Sequence, residues 1–163
     1  MMNTKGTLYF FSGKMGAGKS TYSKKLADEQ HAVLLSEDAW LSAIYPEEIK
    51  TFDDYIKYSS RLKPLLKEHV RTILSSGVSV VMDFPGNTKQ QRAWLKELFA
   101  GENIPHKLIY LKADDGLCLE RLARRRESEP ERAHFDTEEV FHQVTAYFQA
   151  PTEDEGFNID VVE

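Results

Sequence analysis

The sequence predicts an α/β fold, with a mostly parallel sheet of about five strands and helices on both faces. Short apolar runs alternate along the 163 residues with longer segments whose apolar positions recur at helical spacing. The runs are almost continuously apolar, as strands covered on both faces are. A glycine-rich stretch directly follows the first run, where such a fold turns from strand to helix.

Leu8-Tyr9-Phe10-Phe11, ending in Ser12-Gly13, reads as the first strand. Thr21 to His31 holds good helix formers, with Tyr22, Leu26 and Ala27 spaced for one face. Ala32 to Leu35 is a second strand, and Asp38 to Tyr45 a short helix stopped by Pro46. Beyond it, Leu62, Leu65, Leu66, Val70, Ile73 and Leu74 mark a long helical region, with Gly77 where the helix should stop. Pro64 either bends this region or begins its second half. Val78 to Met82 is a third strand, closed by Asp83.

Thr88-Lys89-Gln90-Gln91 has the form of a capping box, opening a helix that buries Trp94, Leu95, Leu98 and Phe99. His106 to Leu111 is a fourth strand, Asp115 to Arg126 a helix, and the polar stretch Glu127 to His134 a loop. Asp136-Thr137-Glu138-Glu139 is a second capping-box candidate, ahead of Val140, Phe141, Val144, Tyr147 and Phe148. Phe157 to Val162 supplies the last strand. With no internal repeat or linker, residues 1–163 read as one domain.

Composition narrows the function classes. A formal charge of −5 argues against nucleic acid as a standing partner, whose backbone favours basic proteins. Cys118 is the only cysteine, which excludes an intramolecular disulfide and a cysteine-based metal site. No apolar run approaches bilayer-spanning length. The N-terminus is too short and polar before Leu8 for a secretion signal, and we read the protein as cytoplasmic.

Gly13-Lys14-Met15-Gly16-Ala17-Gly18-Lys19-Ser20 fits G-x-x-x-x-G-K-[ST] at every fixed position, and Thr21 follows. Glycines let the backbone curl so that successive N–H groups point at phosphate oxygens. The helix beginning near Gly18 adds the positive end of its dipole. Lys19 is placed to reach the β- and γ-phosphates of a nucleotide, and the Ser20 hydroxyl to ligate Mg²⁺. A chance match arises in roughly half a per cent of chains of this length, before its strand-to-helix context is counted.

In a parallel sheet, ligands sit beyond the carboxyl ends of the strands. Glu37 and Asp38 follow the second strand and Asp83 the third. Asp83 has the form of an acid that holds Mg²⁺ directly or through water. Asp38 is the better candidate to orient an attacking hydroxyl, with Glu37 the runner-up. Arg121, Arg124 and Arg125 share one helix face and lead into a lid at about 125–136. Arg121 and Arg125 are the candidates to stabilise charge on a transferring phosphoryl group. Arg92 either faces the substrate or snorkels to solvent. Trp40, Tyr45, Phe52, Tyr55 and Tyr58 are candidate walls of an acceptor pocket.

With these residues placed, the chain resembles the P-loop kinase-like ATPases grouped with the 5′-hydroxyl domain of phage polynucleotide kinase. Chloramphenicol phosphotransferase and zeta toxins are more distant relatives. The resemblance runs from Thr7 to the end, through Ser12–Thr21, Leu35-Ser36-Glu37-Asp38, Val80-Val81-Met82-Asp83, and Arg121 with Arg125. It implies a three-layer P-loop NTPase fold, ATP and Mg²⁺ as cofactors, and γ-phosphoryl transfer to a hydroxyl with Asp38 as base. It also implies that Pro151 to Phe157 packs around the adenine. One departure is Leu41, where the polynucleotide kinase pattern has an arginine, which turns the expectation from nucleic acid to a small-molecule acceptor. A nucleotide sensor, an ATPase without an acceptor and a 5′-hydroxyl nucleic-acid kinase remain the alternatives.

Overall fold

The computed structural model describes residues 4–130, 133 and 136–163. Five parallel strands stand in the order β2-β3-β1-β4-β5. They are β1 (Leu8–Ser12), β2 (Val33–Ser36), β3 (Val80–Asp83), β4 (His106–Leu111) and β5 (Ile159–Val162). The helices are α1 (Lys19–Gln30), α2 (Glu37–Ile44), α3 (Phe52–Ser75), α4 (Lys89–Glu97), α5 (Asp115–Ser128) and α6 (Glu138–Thr145).

Alternation along the strands sorts the core into two layers. Leu8, Phe10, Val80, Met82 and Leu108 face one side, where Leu62, Leu66, Val70 and Leu74 of α3 and Leu95 of α4 cover them. Phe11, Val81, Ile109 and Leu111 face the other, against Ala27 of α1, Cys118 and Leu122 of α5, and Phe141 of α6. All of β3 is buried, as is β1 apart from the half-buried Tyr9, which is why these strands read as unbroken apolar runs.

Several boundaries move from their expected places. Pro64 lies inside one continuous α3. It removes the donor that the Ser60 carbonyl would meet, but both residues are exposed, so water can serve that group. Gly77 ends α3 as expected: at φ 91° it lets Gly77 N–H reach Leu74 and Val78 N–H reach Ile73, a Schellman closure. At α4, Thr88 accepts from Gln91 N–H, but the Gln91 side chain turns to Asn87 N–H rather than back to the cap. The cap of α6 is Thr137, not Asp136, whose carboxylate is taken by Arg125. Helix α5 runs to Ser128, two residues into the expected loop. Of that loop and the lid, residues 131, 132, 134 and 135 lie outside the described residues.

Candidate functional site

Strand β1 ends at Ser12 and α1 begins at Lys19, so the glycine-rich stretch is the turn between them. Gly16 and Gly18 have φ of 82° and 100°, a region L side chains rarely adopt. A Cβ on Gly16 would stand 2.7 Å from the Cys118 carbonyl oxygen. Gly18 is the N-cap and offers no side-chain acceptor, and the first turn of α1 carries no acid. The first N–H groups of α1 are thus left for an anion, at the positive end of the helix dipole.

Within the stretch, Lys14 pairs with Asp115 at 2.8 Å. That hydrogen bond, opposed by some desolvation, raises the Lys14 pKa. Met15 packs against the α1–α5 core layer, and Ala17 is buried. Gly13 N–H donates to Asn87 Oδ1 at 2.9 Å. Lys19 makes no hydrogen bond or ion pair among the described residues. Thr21 is exposed on the first turn of α1.

The two residues expected to hold a metal ion, Ser20 and Asp83, come together. Ser20 Oγ donates to Asp83 Oδ2 at 3.1 Å, joining the start of α1 to the end of β3. A hydroxyl and a carboxylate are the oxygen donors that Mg²⁺ takes while keeping several waters, so the residues fit that ion. Ser36 and Asp83 are partners in the β2–β3 register, so Glu37 and Asp38 emerge beside Asp83.

The two acids after β2 part company. Asp38 is exposed and makes no hydrogen bond or ion pair among the described residues. Glu37 is buried and accepts from the Tyr55 hydroxyl and from Ser59 Oγ, the latter at 2.8 Å. Burial, with the Glu37 charge next, pushes the Tyr55 pKa far upward and keeps it a donor. Burial also raises Glu37 above the ordinary 4.5, against the pull of the two hydroxyl donors. An acid with a raised folded pKa contributes stability below its unfolded value that is lost as pH climbs through the folded one. The stability of wild type relative to Glu37→Gln should therefore fall as pH rises from 4.5 through the folded value. Thermal unfolding of both proteins across a pH series checks this, and a flat difference would contradict it.

Arg92, Arg121, Arg124, Arg125 and Arg126 are all engaged. Arg121 Nη1 donates to the Ala17 carbonyl at 2.8 Å, a bond that braces the phosphate-binding turn itself. Arg125 makes two 2.7 Å bonds to the buried Asp136 carboxylate, and Arg126 donates to the Asp136 carbonyl. Arg124 pairs with Glu120 on the exposed side. Arg92 neither faces a substrate nor snorkels: it is fully buried and paired with Glu155.

Among the aromatics, Tyr45 packs against Tyr58 with centroids 4.2 Å apart and the rings tilted by 36°, while Trp40 and Phe52 are exposed. A cavity of about 230 Å³, lined by Lys14, Tyr110, Lys112, Asp114 and Phe148 among others, opens at the carboxyl end of β4. Phe157 stacks edge-on to His106, the first residue of β4, at the opposite end of the sheet from the phosphate-binding turn. Partly buried, it packs against the core, and the expectation that 151–157 wraps the adenine does not hold for Phe157. Sequence reasoning missed Asn87, Asp136 and Glu155; only the place of Asn87, soon after the end of β3, pointed to the site. Among the described residues no cluster of His, Cys, Asp and Glu forms a separate metal site, and no helix is long and apolar enough to cross a membrane.

A five-stranded parallel sheet in this order, with the glycine-rich turn between β1 and α1, defines a P-loop, kinase-like α/β protein. The chain belongs to the AAA domain family, whose model matches residues 8–151. Among the solved structures that share the fold are three similar over nearly the whole chain. A protein from Chloroflexus aurantiacus described as a putative kinase is 21% identical, with a TM-score of 0.74 over 99% of this chain and 86% of that one. The protein APE1195 is 24% identical, with a TM-score of 0.68 over 98% and 86%. A sugar kinase from Janibacter is 18% identical, with a TM-score of 0.66 over 96% and 84%. No curated protein sequence matches the chain.

Proposed function

We propose that this chain, as one domain over 1–163, transfers the γ-phosphoryl group of ATP to a hydroxyl of a small-molecule acceptor. The observation that carries the reading is the free ammonium of Lys19 at an uncapped helix start, beside the Ser20–Asp83 pair. An unpaired cation and open N–H groups suit the phosphates, and nothing in the first turn of α1 repels them. Ser20 and Asp83 would hold Mg²⁺, which neutralises phosphate charge when bound.

The remaining steps belong to the chain. Lys19 draws charge off the β- and γ-phosphates as the bond to the leaving oxygen lengthens. Asp38, unencumbered beside the end of β3, orients the acceptor hydroxyl and takes its proton. Arg121 holds the loop through the Ala17 carbonyl and can turn its free guanidinium edge to the phosphates. Arg125, held on Asp136, supports the end of α5 from which the lid departs. The cavity beside Lys14 leaves room for the nucleoside end. Two of the similar structures, one described as a sugar kinase and one as a putative kinase, support the same reaction class.

The test is ATP labelled at the γ-position, with Mg²⁺ and a pooled metabolite extract. Label should appear in a new non-nucleotide compound. Label found only in inorganic phosphate would replace this reading with ATP hydrolysis, and label on 5′-hydroxyl oligonucleotides would replace the small acceptor with nucleic acid.

A further inference from the structure

Arg92 carries no part of the reaction above, yet it is the largest fully buried side chain among the described residues. Its Nε and Nη2 donate to the two carboxylate oxygens of Glu155 at 2.7 and 3.2 Å. Its Nη1 donates to the Gly86 carbonyl at 2.9 Å and lies 3.5 Å from Ser12 Oγ. Ser12 Oγ, itself fully buried, donates to that same Gly86 carbonyl. Gly86 is confined there, because a Cβ would stand 2.3 Å from the Phe11 carbonyl oxygen. The next residue, Asn87, accepts from Gly13 N–H, while its own carbonyl accepts from Gln149 N–H at 2.8 Å.

A buried guanidinium is a poor source of stability, since apolar replacements of such pairs often do as well. What it does supply is a fixed geometry. Burial opposes ionisation of Glu155, but the Arg92 hydrogen bond, joined by that from Thr152 and by the Arg92 charge, outweighs it and holds the carboxyl below its usual range. Glu155 is in turn fixed by Thr152 N–H, in the short turn ahead of β5. Every group in the chain from Glu155 to Gly13 is thus held by another.

We propose that Arg92 is a positioning residue for the phosphate-binding loop, acting through Gly86 and Asn87 on the Ser12–Gly13 peptide. The C-terminal segment then sets nucleotide affinity without touching nucleotide. The proposal rests on reading Gly13–Ser20 as a nucleotide site. Gly13 is where the chain leaves β1, so a tilt of its peptide plane displaces every N–H that follows, and small misplacements are costly at such sites.

Calorimetric titration with Mg-ATP, alongside thermal unfolding, tests it in wild type, Asn87→Ala, Glu155→Gln and the double variant. Each single change should raise Kd about tenfold, the worth of one well-placed hydrogen bond. Asn87→Ala should do so with Tm close to wild type, a split that a merely structural role would not give. The double variant should also sit near tenfold, because both changes act on one peptide. Single-variant Kd values within about twofold of wild type, or a double variant at the product of the single effects, overturn the proposal. If Glu155→Gln does not fold, Arg92→Lys, which keeps the charge and loses the fork, replaces it. Absence of binding by wild type overturns the nucleotide reading and this inference with it.

Discussion

Lys19→Ala should lower Mg-dependent ATP turnover by about 10²–10³-fold or more, the cost of removing one preorganised donor to transition-state charge. Lys19 is the first residue of α1 and makes no hydrogen bond or ion pair among the described residues. Its removal therefore orphans no buried partner. Alanine is the best helix former, so the first turn loses nothing. The thermal midpoint should accordingly stay within a few degrees while ADP release collapses. That separation matters, because most damaging substitutions in a small domain act through stability. Normal turnover in a folded Lys19→Ala protein would sink the phosphoryl-transfer reading at its root.

Most of the scaffold was legible because its signals are local. Leu8–Phe11 and Val80–Met82 are short apolar runs buried on both faces, and a glycine-rich stretch can only be a turn. Ser20 and Asp83, 63 positions apart, are paired on chemistry alone, and the fold sets them 3.1 Å apart. What stayed hidden depends on long-range partners. Arg92 is a charged residue on an amphipathic helix, and its burial becomes intelligible only once Glu155 arrives from the far end of the chain. Asp136 looked like a helix cap because Glu139 follows three residues later, yet Arg125 claims its carboxylate and Thr137 caps instead. Burial also reassigned Phe157. An aromatic near the last strand is equally at home against a base or in a core, and contacts with Phe10, Phe99 and His106 decide for the core.

Asp38→Asn should lower phosphoryl transfer by about 10²–10⁴-fold, the range for a lost general base, while leaving Mg-ATP affinity within about twofold. The sequence offered two adjacent acids for this role, and their surroundings now separate them. A base must meet the acceptor and give its lone pair away in turn. Glu37 is buried with both carboxylate oxygens occupied by Tyr55 and Ser59, so it ties α3 to the start of α2. Asp38, on the same helical turn, is exposed and uncommitted. Asparagine preserves its shape and can still cap or bond to water, so loss of transfer would report the missing charge and proton affinity rather than a collapsed helix. Glu37→Gln keeps an acceptor for one hydroxyl and is expected to retain most transfer while altering stability. Single-turnover assays with a saturating acceptor, run beside ATP titrations, separate the two residues. If Asp38→Asn transfers phosphoryl at the wild-type rate and a folded Glu37→Gln does not, the base is Glu37. The Tyr55–Glu37–Ser59 cluster would then be reaction machinery rather than a brace between two helices.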